Sequence, residues 1–229
     1  MTSPPRDKRV SKTVAEADCY IAWAEKDRAQ TKLLNVQRKI EELALKEAQR
    51  EEKYNAAWPD QQRVYTFYGE VEPEAIQKCI EELGIWSRRD PKQPITIQLN
   101  SCGGYCIDGI ALYDYIQQLR KIGHYFTIIA IGEASSMGGI ILQAADWRVM
   151  GATSELLIHE VAAEQYGSKT VSWIHDRHAY LLKLQRRMDE ILAERSTMTA
   201  MEIEEKAKKL DWFLDANEAL ELGFIDEIR

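Results

Sequence analysis

The chain has 229 residues, 45% of them apolar and 29% charged, with 12 Gly and 6 Pro; this ordinary globular composition excludes disorder throughout, a collagen-like repeat and a disulfide scaffold. Thirty Lys and Arg stand against 37 Asp and Glu, a net charge of −7 that gives no reason to expect a nucleic-acid partner. No apolar run approaches the roughly 18 residues of a membrane-spanning helix, so no membrane partner is expected.

The N-terminus, Met1-Thr2-Ser3-Pro4-Pro5, is followed by no apolar core of signal-peptide type. Cys19, Cys79, Cys102 and Cys106 have no nearby His or second pair to complete a zinc site. They read as free thiols of a reducing, cytoplasmic compartment, with no metal or other cofactor expected.

Between about Thr13 and Ala57 there is neither Gly nor Pro, and Ala, Glu, Lys, Gln, Arg and Leu dominate, which is the composition of a long helix. Val14, Ala17, Ile21 and Ala24 keep 3-4 spacing, and so do Leu33, Val36, Ile40 and Leu43, but the first seam runs on into Arg28, Thr31, Asn35 and Arg38. A charged helix or helical hairpin packed on its own body or on a neighbouring subunit, a short coiled coil, and a docking arm for a partner all fit this pattern. Residues 1–57 hold 12 basic and 10 acidic residues, whereas residues 58–229 hold 18 and 27. The change of sign marks an N-terminal extension, 1–57, ahead of a second domain, 58–229.

From Trp58-Pro59-Asp60 onward, short strands alternate with helices, which is the signature of the α/β class. A strand is predicted at Arg63 to Tyr68 and a helix at Glu72 to Leu83. Ile95, Ile97 and Leu99 alternate as a strand entering Asn100-Ser101-Cys102-Gly103-Gly104, and Gly109, Leu112, Ile116 and Leu119 then keep helical spacing. His124 to Ile131 reads as a buried strand. The turn Gly132-Glu133-Ala134-Ser135-Ser136 is expected to feed an apolar helix from Met137 to Ala145. Short strands are expected near Trp147 to Met150 and Glu155 to His159, and a long helix from Ser168 to Glu194. Thr199 with Glu202, and Asp215 with Glu218, have the spacing of capping boxes, and Gly223 is a stop signal for the last helix.

Two small-residue turns follow strands and precede helices, where ligands bind in open α/β sheets. Neither has the glycine spacing of a nucleotide loop. A serine in such a turn is either a helix cap or, with its hydroxyl at the sheet edge and backbone N–H groups around it, a nucleophile. An activated serine also needs a base and a residue that orients it. His124 begins a strand, and His175 and His178 read as a surface pair on a helix. His159 ends the apolar run Leu156-Leu157-Ile158, where it is either a core histidine or a base at the sheet edge. Asp211, beside Trp212 and Phe213, is expected between two helices as a partly desolvated acid or a plain surface one.

From Arg63 to Arg229 the sequence resembles ClpP, the family of proteolytic subunits of the Clp protease. The matching stretches are Ile97-Gln98-Leu99-Asn100-Ser101-Cys102-Gly103-Gly104, then Gly132-Glu133-Ala134-Ser135-Ser136-Met137-Gly138, then Leu157-Ile158-His159. The last runs from Asp211-Trp212-Phe213-Leu214 into Glu218-Ala219-Leu220-Glu221-Leu222-Gly223-Phe224-Ile225-Asp226. The resemblance implies a crotonase/ClpP-like spiral of ββα units and a serine endopeptidase. In it Ser136 is the nucleophile, His159 the general base and Asp211 its orienting carboxylate, and the N–H groups of Gly104 and Met137 form the oxyanion hole. It further implies polypeptide substrates, homo-oligomeric heptameric rings that stack into a tetradecamer through the Ser168 to Glu194 helix, and an AAA+ unfoldase as ATP-dependent partner. Glu164 to Lys169 would match the strand that lies along bound peptide.

The sequence departs from the family pattern at Cys102, where Pro usually precedes the paired Gly, and at Glu160-Val161, where Gln-Pro usually follows the catalytic His. The long N-terminal helix stands where the family has a short axial loop that meets the ATPase. That difference leaves open a capsid-maturation protease of tailed phages working without an ATPase. A non-catalytic assembly subunit and a crotonase-type acyl-CoA enzyme also fit the fold that the resemblance implies.

Overall fold

The computed structural model describes residues 26, 30, 32–46, 63–163, 167–208 and 210–229. The chain divides into two units, 1–59 and 60–229. In the first, residues 32–46 form helix α1, with every residue exposed; the rest of the predicted N-terminal helix, apart from helical residues 26 and 30, lies outside the described residues.

The second unit is α/β, as the alternating pattern predicts. Its elements in chain order are β1 (Arg63–Tyr68), α2 (Pro73–Arg89), β2 (Ile95–Ser101), α3 (Cys106–Lys121), β3 (Phe126–Ser135), α4 (Met137–Leu142), β4 (Trp147–Met150) and β5 (Glu155–Ile158). They are followed by α5 (Val171–Ala193), α6 (Ala200–Ala207), β6 (Trp212–Asp215), α7 (Ala216–Glu221) and β7 (Glu227–Ile228). The sheet order is β1-β2-β3-β4-β7, with β5 pairing with both β3 and β6. Every pairing is parallel except β5 with β6.

Strand β3 changes partner along its length. Thr127 to Ala130 pair with β4, and Glu133 to Ser135 pair with β5. A strand that leaves one neighbour and takes up another lets the sheet turn out of a single layer, as the expected spiral of ββα units requires. The register of β2 on β3 also shifts between Leu99 and Ser101, a local irregularity that re-aims the chain at the end of β2.

The core lies between the sheet and its helices. Strand β2 alternates, with Ile95, Ile97 and Leu99 fully buried in the same core cluster as Leu83 of α2 and Leu112 and Ile116 of α3. His124 is 3% exposed, with Nδ1 2.9 Å from the Gln93 carbonyl and Nε2 2.9 Å from Ser87 Oγ, which makes it a satisfied core histidine. The two capping boxes form as predicted, and Gly223 takes φ 77° after the last helix.

Several boundaries differ from the sequence reading. Helix α2 runs on to Arg89 because Gly84 is accommodated inside it, against the Tyr115 hydroxyl, and Trp86 packs on the core. The predicted turn at Gly132 to Ser135 is strand, since pairing with β5 outweighs its Gly and Ser content. Helix α4 stops at Leu142, three residues short. Asp211 does not lie between two helices: it leads into β6, whose antiparallel pairing with β5 places Trp212 opposite Ile158. Of the stretch expected to line bound peptide, residues 164–166 lie outside the described residues and residues 167–169 are not in a strand.

Candidate active site

Ser136 stands between the end of β3 and the start of α4 with φ 54° and ψ −118°. A non-glycine residue at positive φ stores about 1–3 kcal/mol of strain, which the surrounding structure must hold. Here the Ser136 N–H donates to the Leu157 carbonyl at 2.8 Å, tying the turn to β5. Gly103 crosses directly beneath it: a Cβ there would lie 2.6 Å from Ser136 Cβ. Gly103 itself has φ 93°, so both space and backbone conformation demand glycine. This strand-turn-helix geometry holds a serine hydroxyl at the sheet edge. Ser135 points elsewhere: it is buried, and its hydroxyl donates to Glu133 at 2.8 Å.

The loop after β2 is pinned by three bonds. Gly103 N–H donates to Ser101 Oγ at 3.2 Å, Val71 N–H to the Gly103 carbonyl at 2.7 Å, and Tyr105 N–H to the Val71 carbonyl at 2.8 Å. The intervening Gly104 N–H makes no hydrogen bond among the described residues. Met137 N–H is the first of α4 and has no intrahelical acceptor. The Met137 side chain is buried against Gly109 of α3. The two N–H groups belong to residues lining one cavity with Ser136 and His159. Free donors around a nucleophile suit an oxygen on which negative charge develops.

That cavity has a volume of about 320 Å³, and Cys102, Ile140, Ile158, Met188, Asp189 and Leu192 are also among its lining residues. His159 lies just past the end of β5, its side chain 31% exposed. It borders a second recess that also contains Asp211. His159 Nδ1 is 4.0 Å from Asp211 Oδ1, and the Asp211 side chain is 61% exposed. The partly desolvated setting expected for Asp211 is therefore not observed, because β6 places it at the rim of the strand pair.

Five residues singled out from the sequence thus fall into one neighbourhood: Ser136, His159, Gly104 and Met137 around the cavity, and Asp211 behind the imidazole. The i, i+3 pair His175 and His178 is exposed on α5, away from it. Sequence reasoning missed Asp189, which is 2% exposed and lines the same cavity. Its Oδ1 accepts from Gln185 Nε2 at 2.9 Å, and Gln185 Oε1 accepts the Val161 N–H at 2.7 Å, so α5 is bonded to the segment that follows His159. Burial, opposed by the Gln185 bond and reinforced by Glu204, Glu160 and Glu190, pushes the Asp189 carboxyl up to about 6. The signal available in the sequence was its position, four residues after Gln185 and three before Leu192 on the inner face of α5.

Among the described residues, no group of three or more His, Cys, Asp or Glu side chains has the arrangement of a metal site. No described helix is long and apolar enough to cross a membrane. The family model described as Clp protease matches residues 31–229, most of the chain and all of the second unit.

Proposed function

Since the chain belongs to the Clp protease family and is a ClpP-like peptidase, we propose that it is a serine endopeptidase working through Ser136, His159 and Asp211. The observation that carries this reading is the strained Ser136, which shares a cavity with His159 and with two residues whose N–H groups are unused. In the reaction, Ser136 Oγ attacks a peptide carbonyl while His159 takes the hydroxyl proton. The Gly104 and Met137 N–H groups receive the developing oxyanion. His159 then returns the proton to the leaving amine, and water, activated by the same imidazole, releases the acyl group from Ser136. Asp211 steadies the imidazolium after a side-chain rotation that closes the 4.0 Å separation; such contacts often tighten only in the reacting complex.

The peptidase is proposed to act as a ring-shaped homo-oligomer enclosing a chamber. The exposed apolar side chains of α5 support this, Val171 at 85% exposure, with Trp173, Ile174, Tyr180 and Leu182, because a helix that leaves so many large apolar groups open marks an interaction surface. Residues 58–229 are proposed as the protease domain and residues 1–57 as its extension, a reading supported by the separation of the chain at residue 59. Hydrolysis of fluorogenic peptides by the oligomer, lost in Ser136→Ala and in His159→Ala, tests the chemistry. Electron microscopy with and without residues 1–57 tests the ring and the place of the extension; a monomeric particle would overturn the ring.

A further inference from the structure

The cavity that Ser136 and His159 line has an uneven lining. Ile140 of α4, Ile158 of β5, and Met188 and Leu192 of α5 supply apolar wall, and Asp189 supplies a carboxyl group that is 2% exposed. Gln185 engages Asp189 Oδ1, and no bond from another described residue reaches Oδ2. No fully buried side-chain oxygen among the described residues lacks a partner, so Oδ2 is an atom that retains contact with the open space of the cavity. A buried carboxyl group with one oxygen held and the other facing a cavity is placed to accept from a donor brought in with a ligand.

The surrounding charges select the kind of donor. Glu204 from α6, Glu160 from the segment after β5 and Glu190 from α5 itself all act on Asp189 with the same negative sign. The other titratable groups lining the cavity, among the described residues, are His159, Glu70, Cys102 and Cys106, with Arg177 acting on Cys106. Among the described residues, no cation is one of the groups acting on Asp189. A ligand suited to this recess has an aliphatic stem for the Ile, Met and Leu walls and a positive head for the carboxylate.

Resting on the serine peptidase reading, we propose that Asp189 is a specificity-determining residue that makes the enzyme prefer lysine or arginine immediately before the scissile bond. With the carbonyl of that residue at Ser136 and its oxygen between the Gly104 and Met137 N–H groups, the side chain of the same residue enters the recess, and its ammonium or guanidinium meets Asp189. The preference follows the ionisation of Asp189. Above about pH 6 the carboxylate pairs with the cation, and below it the neutral acid favours an uncharged apolar side chain.

The test compares two peptidyl diphenyl phosphonates that differ only in lysine or leucine at this position, with the rate of Ser136 labelling followed by intact mass on the full-length oligomer. The ratio of the two rates cancels every pH effect that both reagents share. At pH 8 the lysine reagent is expected to react at least about tenfold faster, with the ratio falling about tenfold by pH 5. In Asp189→Asn the ratio is expected to drop about tenfold at pH 8 and to lose its pH dependence. A leucine preference at pH 8, a pH-independent ratio in the wild type, or an Asp189→Asn protein slowed equally toward both reagents overturns the proposal. The wild-type pH series decides the matter even where the variant fails to fold. A small fluorophosphonate separates the two levels: if it labels Ser136 and neither peptide reagent does, only the specificity is wrong; if it does not label Ser136, the peptidase reading falls as well.

Discussion

The His159 imidazole and the Asp211 carboxylate lie 4.0 Å apart, Nδ1 to Oδ1, with Asp211 61% exposed on the approach to β6. A buried orienting aspartate contributes about 10⁴-fold to catalysis in serine proteases, but an exposed one is screened by water and salt and holds the imidazole more loosely. Asp211→Asn is therefore expected to lower kcat/KM by about 10² to 10³-fold, less than Ser136→Ala, and the wild-type rate is expected to fall with added salt. Steady-state kinetics on a fluorogenic peptide at two ionic strengths measures both; an Asp211→Asn enzyme with full activity would remove this residue from the site.

Gly103 is held at φ 93° directly beneath Ser136. In Gly103→Ala the new methyl group meets Ser136 Cβ, and an L-residue is strained in that conformation. The expected destabilisation is about 1–3 kcal/mol. Loss of Ser136 reactivity should accompany it, read as a lower melting temperature and slower fluorophosphonate labelling. A change in melting temperature with labelling intact would show that the loop does not set the position of Ser136.

The turns of this site could be read from the sequence because their parts are local, whereas the roles expected of Ser136, His159 and Asp211 rested on the resemblance to ClpP. The Gly103-Gly104 pair after an alternating strand, the serine before Met137-Gly138 and both capping boxes each depend on residues within a few positions of one another. What escaped reading depends on distant partners. Gly132 to Ser135 have the composition of a turn and are strand because β5, some 20 residues later, pairs with Glu133 to Ser135, and Ser101 of β2 pairs with Ala134. Trp212 to Asp215 are only four residues, preceded by Asp211, and they become β6 against the edge of β5. Asp189 resembles any acid on a charged helix until the fold turns that face of α5 toward the cavity.

Asp189 also predicts a dependence of stability on pH. Its carboxyl is raised by burial to about 6 in the fold, against an ordinary value of 3.8. Between these values the folded state binds more protons than the unfolded one, so stability falls as pH rises through this window, and the full cost is present above it. Asp189→Asn, which can still accept from Gln185, is expected to stabilise the protein at pH 7.5 by about 1–3 kcal/mol, with the gain fading below about pH 4. Thermal melts of both proteins across pH 4 to 8 test the sign; a variant less stable than wild type at pH 7.5 contradicts it.

A different carboxylate acts in the opposite sense. Burial alone would raise Asp226, but hydrogen bonds from Arg148 and the charges of Arg148 and Arg195 hold it below the usual carboxylate range. Arg148 is 2% exposed, bonded to Asp226 at 2.7 Å and to Gln143 Oε1 at 2.7 Å. Asp226→Ala leaves that guanidinium buried without its counter-charge, and a loss of about 3–5 kcal/mol is expected. In the wild type the contribution of Asp226 is present above its unfolded value and lost as pH falls through its lowered folded value. Chemical denaturation at neutral and acidic pH reads the difference, which should shrink in acid; a variant as stable as wild type at pH 7 would show the network to be dispensable.

Fluorophosphonate labelling of the intact oligomer, with the modified residue identified by peptide mass spectrometry, reads whether Ser136 is an activated nucleophile. A single adduct on Ser136 is expected, absent from Ser136→Ala and formed at least about 10²-fold more slowly in His159→Ala. An unlabelled wild type, an adduct on Ser135 or another residue, or equal labelling of the Ser136→Ala protein would contradict that role.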